Sequence, residues 1–335
     1  MWPKSIRQVI VMQAIVVHSL GDPSVLQVHN VPQPQALPRQ VLIKVLGSSV
    51  NAADVARRRG TGKVEPFIPG LDTFGEIVGI GTEVTKFSLG QQVIAFPKEG
   101  SYAEYVVADE THAFALDPVP NVMEAIGSPI AAFTAYNVLK RLGQLVRGES
   151  VLIHGASGGV GVVAAQMAKL LGAKAVIGTT RSASKAALLK EFGFDTVVNT
   201  TTDDFKDVTL EVTGGQGVDV VLDILGGSVL SQSIACMARF GRLVCIGTNV
   251  GGHADVDVTH IHAECKSIIG SSFGLVRRFA PGIMAGMAND VIPWLTRGDL
   301  RVPIAGVFRL SEAARAHNSF EQSAHIGKII LSINM

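Results

Sequence analysis

Cysteine is scarce in this chain of 335 residues: Cys236, Cys245 and Cys265 are the whole set, and all lie in the second half. An odd, sparse set without a repeated spacing argues against a disulfide framework and fits a reducing cytoplasm. Charge is also in short supply. Lys and Arg number 29 against 28 Asp and Glu, and charged residues make up only 17% of the chain, for a net charge of +1. That balance leaves no electrostatic footprint for nucleic acid or for a membrane surface. The densest basic patch is Arg57, Arg58 and Arg59, read here as a solvated face. Mean hydropathy is +0.34, yet no run approaches the roughly 18 uninterrupted apolar residues that a membrane-spanning helix needs. The opening MWPKSIRQVIVM has too short an apolar run and no small-residue cleavage site for a secretory signal. Internal repeats and low-complexity tracts are missing too.

What remains is a long, apolar chain, 47% hydrophobic, with room for two domains and a sizeable core. The first part is β-rich. AIVVHSL (14–20), QVLIKVLG (40–47), GEIVGIG (75–81) and QQVIAF (91–96) are short β-branched runs separated by Pro and Gly, as in a small barrel or sandwich. The texture changes near Pro129, where strands begin to alternate with helical patterns. VLIH (151–154), AVIGTT (175–180), TVVN ending at Asn199, VDVVLD ending at Asp223 and RLVCIG ending at Gly247 read as strands. Between the first two, Val160, Val163, Ala164, Met167 and Leu171 share a helical face, and Gly172 suits the helix end. Repeated βα units of this size predict a doubly wound parallel sheet. After about residue 265 the pattern loosens: SIIGSSF reads as a strand, SEAARAHNSFEQ as a helix and GKIILSI as a last strand.

The strongest local motif is VLIHGASGGVG, residues 151–161, which leaves a strand and opens a helix, the context of a dinucleotide fingerprint. Ser157, Gly158, Gly159, Val160 and Gly161 are the candidate phosphate ligands. Gly158 lets the backbone approach a pyrophosphate and Gly161 allows close helix–strand packing, while the helix N-terminus offers free N–H groups and partial positive charge. Ala156 replaces the first glycine of the usual pattern. An NAD site carries an acid about 20 residues further on to hold the ribose 2′-OH. Here the second strand ends in Thr180, Arg181 and Ser182, with Lys185 one turn later and no acid. Hydroxyls and cations suit a 2′-phosphate, so the expected cofactor is NADPH.

The chain resembles the zinc-independent quinone oxidoreductases of the medium-chain dehydrogenase/reductase superfamily. The resemblance is carried by VNAADVARRRG, IPGLDTFGEIVGIG, GSYAEY, AAFTAYNVL, HGASGGVG, GVDVVLDILGG, GRLVCIG and HIGKIIL. It implies an α/β enzyme in which a Rossmann doubly wound parallel sheet is inserted in a β-rich, GroES-like substrate domain. The expected division is 12–128 for the first part of the GroES-like domain, 129–265 for the NADP-binding domain and 266–335 for the return, with 1–11 as an extension. A homodimer joined through the SIIGSSF strand is implied as well. Zinc-bearing relatives place a Cys on the first loop and a His–Glu pair on the second; the corresponding places here resemble Asn51 and Gly70–Leu71–Asp72, so no metal is expected. The dense set His253, Asp255, Asp257, His260, His262 and Cys265 invites a metal reading, with His260 and His262 sharing a face if the segment is a strand; a loop or dimer-contact role is preferred.

The resemblance also points to Asn51 as the catalytic candidate. Its amide can donate to a substrate carbonyl or to the nicotinamide ribose without titrating, though Asn also fills turns. Thr134 resembles a family threonine beside the nicotinamide, or it is a helix hydroxyl bonding its own backbone. Asn199, Gly247 and Lys328 are further expected cofactor contacts. Two departures matter: Ala56 stands where many relatives carry a Tyr, and Thr200 where a Tyr often follows the third strand's Asn. The implied reaction is hydride transfer from NADPH to a quinone, enone or related conjugated carbonyl, with the final proton taken from water. An enoyl-thioester reductase, with Arg57, Arg58 and Arg59 serving a carrier phosphate, is the rival enzyme; a crystallin-like or regulatory NADPH-binding protein is the rival from another class.

Overall fold

The computed structural model describes residues 10–248, 251 and 253–334. In chain order the elements are β1 (Val11–Val16), β2 (Gln27–Pro32), β3 (Gln40–Ser49), α1 (Ala52–Arg58), β4 (Thr73–Ile80), β5 (Gln92–Ala95), β6 (Tyr105–Asp109), β7 (Ala113–Ala115) and α2 (Val122–Tyr136). Then come β8 (Ser150–Ile153), α3 (Gly159–Leu170), β9 (Ala175–Thr180), α4 (Ala183–Leu189), β10 (Thr196–Asn199), α5 (Phe205–Val212), β11 (Val218–Asp223), α6 (Ser228–Ala235), β12 (Met237–Cys245), α7 (Val258–Ala263), β13 (Ser267–Gly270), α8 (Phe273–Phe279) and α9 (Pro281–Thr296). The chain closes with β14 (Ile304–Arg309), α10 (Ala313–Gln322) and β15 (Lys328–Ser332). Two units result. One holds the chain up to Ile130, Ile304–Ala324 and Lys328 onward; the other holds Ala131–Pro303 and His325–Gly327.

The first unit is built on a seven-stranded sheet of order β14-β15-β3-β4-β5-β7, with β6 also pairing β3. Its strands alternate as period-2 sequences must when one face is packed. In β3, Val41, Ile43 and Val45 are fully buried and join Ile77, Val93 and Val106 in one core, while Leu42 and Lys44 are half-exposed. The first strand begins earlier than its sequence suggests: β1 starts at Val11, and Val17 leaves it to bridge Phe67. Val11 therefore belongs to the fold, and of the expected extension, residues 1–9 lie outside the described residues.

The second unit carries six parallel strands in the order β10-β9-β8-β11-β12-β13. Parallel strands covered on both faces become continuous apolar runs, and every residue of β8 is buried. One face packs Leu152, Ile177, Val198 and Val221 against Phe205 of α5 and Leu230 and Ile234 of α6. α3 buries Val162, Val163, Ala164, Ala165, Met167 and Ala168, where each large side chain contributes about 1.5–3 kcal/mol. It stops where Gly172 turns left-handed at φ 85°.

The chain returns to the first unit at Ile304, not at residue 266. Ser267–Gly270 pairs in parallel with β12, from Arg242↔Ser267 to Cys245↔Gly270, so SIIG is the sixth Rossmann strand. α8 and α9 then complete that unit, with Met284, Met287, Val291 and Leu295 buried. A second correction concerns His260 and His262. They lie in the helix α7, whose first N–H groups are capped by Asp257, so two residues apart they do not share a face.

Candidate active site

In the second unit, β8 runs into a loop that fixes its own shape. His154 N–H donates to Leu222 O (3.0 Å), Ala156 N–H to Thr179 O (3.0 Å) and Gly158 N–H to Gly155 O (3.0 Å). Gly155 sits at φ 67°, a conformation glycine adopts without strain. Ala156 is fully buried, and a Cβ on Gly178 would lie 2.8 Å from the Ala156 methyl, so this alanine packs against the sheet and leaves the loop's outer surface to Ser157, Gly158 and Gly159. A Cβ on Gly161 would sit 2.6 Å from Gly155 O and 2.9 Å from Ala156 O, whereas one on Gly158 would meet only Gly155 O at 3.4 Å. Gly161 is thus needed for packing, and Gly158 leaves open space before the N-terminus of the twelve-residue α3. That cradle fits a pyrophosphate.

The end of β9 carries the next group of candidate cofactor residues. Thr180 is buried and its Oγ1 accepts from Ser182 N–H (3.3 Å). Ser182 in turn caps α4 by accepting from Lys185 N–H. Arg181 stands just before the cap, so its nearness to Lys185 comes from the turn and not from helical spacing. Burial, helped by the Arg181 charge, holds the Lys185 ammonium below its usual range. Two cations close together at a strand end that carries no acid are suited to an anion.

A cavity of about 360 Å³ opens at the carboxyl ends of β8, β9, β10 and β11, lined by His154, Thr179, Thr200, Asp203, Leu225 and Val229 among others. Doubly wound sheets bind ligands at such a switch point. The sequence reading missed it. His154 is neutral there: burial pushes it down to about 4, and its ring bonds Thr179 Oγ1 (3.0 Å) and Ser233 Oγ (2.8 Å). Asn199 uses its Oδ1 on Thr201 N–H (3.3 Å) and Oγ1 (3.0 Å). Gly247 follows the end of β12, and Thr134 lies buried in α2.

In the first unit, Asn51 stands between β3 and α1 in a cluster of buried polar groups. Lys328, at the start of β15, donates from Nζ to Asn51 Oδ1 (2.7 Å) and Val50 O (3.0 Å). Asn51 Nδ2 donates to Ser49 O (3.2 Å), and Asn51 N–H donates to Asp54 Oδ2 (3.0 Å). Asp72, fully buried, accepts from Ser49 N–H (3.1 Å), Ser49 Oγ (2.7 Å) and Ile130 N–H (3.3 Å). Burial and then the Asp72 charge push Asp54 up to about 7. Burial pushes Lys328 down, against the pull of Asp72 and Asp54. Asp54 and Asp72 escaped the sequence reading as members of this cluster.

Other features narrow the chemistry. A Cβ on Gly70 would lie 2.2 Å from Ser101 Oγ and 2.8 Å from Tyr102 N, at φ 99°, so no histidine fits that place. Among the described residues, no three His, Cys, Asp or Glu side chains gather to hold a metal. Tyr102 is fully buried with its OH on His317 Nε2 (3.1 Å), and burial raises its pKa well beyond the ordinary range. Of the three arginines, Arg57 and Arg59 are exposed as a solvated face requires, but Arg58 is not. Arg58 is fully buried, pairing with Glu321 and donating to Gly21 O (2.6 Å); Arg57 pairs with Glu99, and Arg59 reaches Glu321 at 3.6 Å.

A parallel doubly wound sheet with a dinucleotide loop, joined to a mainly antiparallel β unit, defines an oxidoreductase of the medium-chain dehydrogenase/reductase superfamily. Two family models match: the alcohol dehydrogenase GroES-like domain over residues 37–119 and the zinc-binding dehydrogenase domain over residues 159–288. The quinone oxidoreductase of Rattus norvegicus is 32% identical over 333 residues, covering 96% of this chain and 97% of that protein. The chain belongs to the quinone oxidoreductase family. It is also 31% identical over 326 residues to a phenolphthiocerol/phthiocerol polyketide synthase of Mycobacterium tuberculosis, a far longer protein of which it spans only 14%. A mycobacterial structure complexed with NADPH superposes with a TM-score of 0.87 at 29% identity, over 96% of this chain and 99% of that one.

Proposed function

We propose that the protein binds NADPH and reduces an electron-poor conjugated acceptor, a quinone or an α,β-unsaturated carbonyl, without zinc. The observation that carries this reading is the pairing of the phosphate loop with Arg181 and Lys185 where an NAD enzyme would present an acid. NADPH, when bound, supplies the hydride. Ser157 to Gly161 would hold the pyrophosphate, and Thr180, Arg181, Ser182 and Lys185 the 2′-phosphate. Asn51 supplies a neutral N–H donor for the acceptor's carbonyl oxygen as negative charge develops there. Tyr102 is bound to His317 and held in its protonated form, so the final proton comes from water. Thr134, Asn199 and Gly247 are assigned to the cofactor's flanks. A homodimer joined through β13, the edge strand of the sheet among the described residues, where Ile268 is exposed, completes the proposal.

The polyketide synthase match favours a second reading, reduction of an enoyl thioester. Arg57, Arg58 and Arg59 give it no support, because all three face carboxylates. A panel of quinones, enones and enoyl thioesters, followed by NADPH oxidation, separates the readings. Turnover with quinones or simple enones is expected. Turnover confined to thioesters would establish the second reading, and tight NADPH binding with no turnover on any acceptor would make the protein a binding module.

A further inference from the structure

We propose that Lys328 is a positioning residue: its ammonium fixes the orientation of the Asn51 amide so that an N–H, and not the carbonyl oxygen, is presented to the acceptor. This rests on the reading of Asn51 as the donor to the acceptor. It replaces the direct cofactor contact expected for Lys328.

The argument is one of donors and acceptors. An amide is nearly symmetric in shape, and either end can face a ligand. A lysine ammonium has three hydrogens and no acceptor, so the atom 2.7 Å from Nζ must be oxygen. That assigns Oδ1 to Lys328 and leaves the two hydrogens of Nδ2. One goes to Ser49 O at 3.2 Å, and the other makes no hydrogen bond among the described residues, which leaves it for a ligand. The backbone beneath is held on three sides. Lys328 also grips Val50 O, Asp54 accepts from Asn51 N–H, and Asp72 ties down Ser49 through its N–H and its hydroxyl. Lys328 lies in β15 and Ser49 in β3, strands paired through Ile330↔Ser49, so the clamp is part of the sheet. Asp54 and Asp72 supply the nearby negative charge that lets a cation persist in this burial. A lysine only 6% exposed, its ammonium spent on two oxygens of adjacent residues, is poorly placed to serve as a mobile phosphate ligand.

The test is a double-mutant cycle on the full-length protein, read as kcat and KM for NADPH oxidation by a quinone and as the NADPH dissociation constant. Lys328→Met keeps the volume and removes the donor. It should lower kcat about as much as Asn51→Ala does, on the order of 10²-fold, with the NADPH dissociation constant unchanged. In the Asn51→Ala background, Lys328→Met should lower kcat no further. Lys328→Gln, whose amide N–H can again meet Asn51 Oδ1, should recover part of the loss, which mere support of the fold would not give. Multiplying kcat losses in the double variant, or a weakened NADPH dissociation constant in Lys328→Met, would overturn the proposal while leaving the Asn51 reading intact. Wild-type turnover in Asn51→Ala would instead remove the reading on which it rests. Should Lys328→Met not fold, the wild-type Asn51 side-chain amide, assigned by its loss in Asn51→Ala, decides. One proton protected from exchange and one shifted by added quinone with NADPH is expected; two equivalent, rapidly exchanging protons would refute the clamp.

Discussion

Arg181 and Lys185 carry like charges into one turn, and burial already depresses the Lys185 ammonium. A 2′-phosphate would relieve that repulsion, and each charge-assisted bond is worth about 1.5–3 kcal/mol, roughly 10- to 150-fold in affinity. Arg181→Ala should therefore weaken NADPH binding by that order and leave NADH nearly untouched; equal losses for both cofactors, measured as dissociation constants, would show that the phosphate is not read there. Buried titratable groups set the pH response. Burial pushes His154 down to about 4 and His317 to about 3, from an ordinary value near 6.5. Both are neutral in the fold, so their contribution is present above about pH 6.5 and is lost as pH falls toward 4. Asp54, pushed up to about 7, acts in the opposite sense: its contribution is full below about pH 4 and is lost as pH rises through 7. His154→Asn, which can still bond Thr179 and Ser233, should flatten the fall in urea midpoint between pH 6.5 and 4. An unchanged slope would show that His154 is not the buried neutral base described. The place of Arg181, directly after β9, was legible in the sequence, and the role proposed for it follows from a missing acid. The burial of Arg58 and Asp72 was not, since it depends on pairing with Glu321 and Ser49, far away in the chain.

Two glycines of one loop, three residues apart, should fail in different ways. Gly161→Ala would drive a methyl into the Gly155 and Ala156 backbone, and overpacking of that kind costs about 1–3 kcal/mol. Gly158, at φ −72°, accepts a methyl without strain, but that methyl would occupy the open space before α3. Gly161→Ala should thus lower the thermal midpoint, and Gly158→Ala should spare it while raising the NADPH dissociation constant. Equal melting losses in both variants would contradict the geometry. The elements themselves were largely readable: β9 spans the same residues as AVIGTT, and α3 stops where Gly172 announced it. What the sequence could not supply was sheet membership. SIIG has the period of any strand, and only its register with β12 makes it part of the parallel sheet. The six-residue α7 was hidden because HIH alternates like a strand, whereas the cap at Asp257 decides the matter.

The whole molecule combines a six-stranded parallel sheet, a β unit whose polar cluster is centred on Asn51, and no gathered metal ligands among the described residues. None of the described helices is long and apolar enough to cross a membrane. Two proposals belong to this scale. The first is the homodimer through β13: sedimentation should give twice the chain mass, and Ile268→Lys on the exposed edge should shift it toward the monomer, whereas a wild-type monomer would refute it. The second is the central one, zinc-free hydride transfer from NADPH to a conjugated acceptor. Its most direct test is steady-state NADPH oxidation by a simple quinone, with zinc content measured on the same sample and the rate compared before and after chelation. Saturable turnover that prefers NADPH to NADH, persists in chelator and accompanies far less than one zinc per chain is the predicted result. Activity that disappears on chelation and returns with added zinc would contradict it.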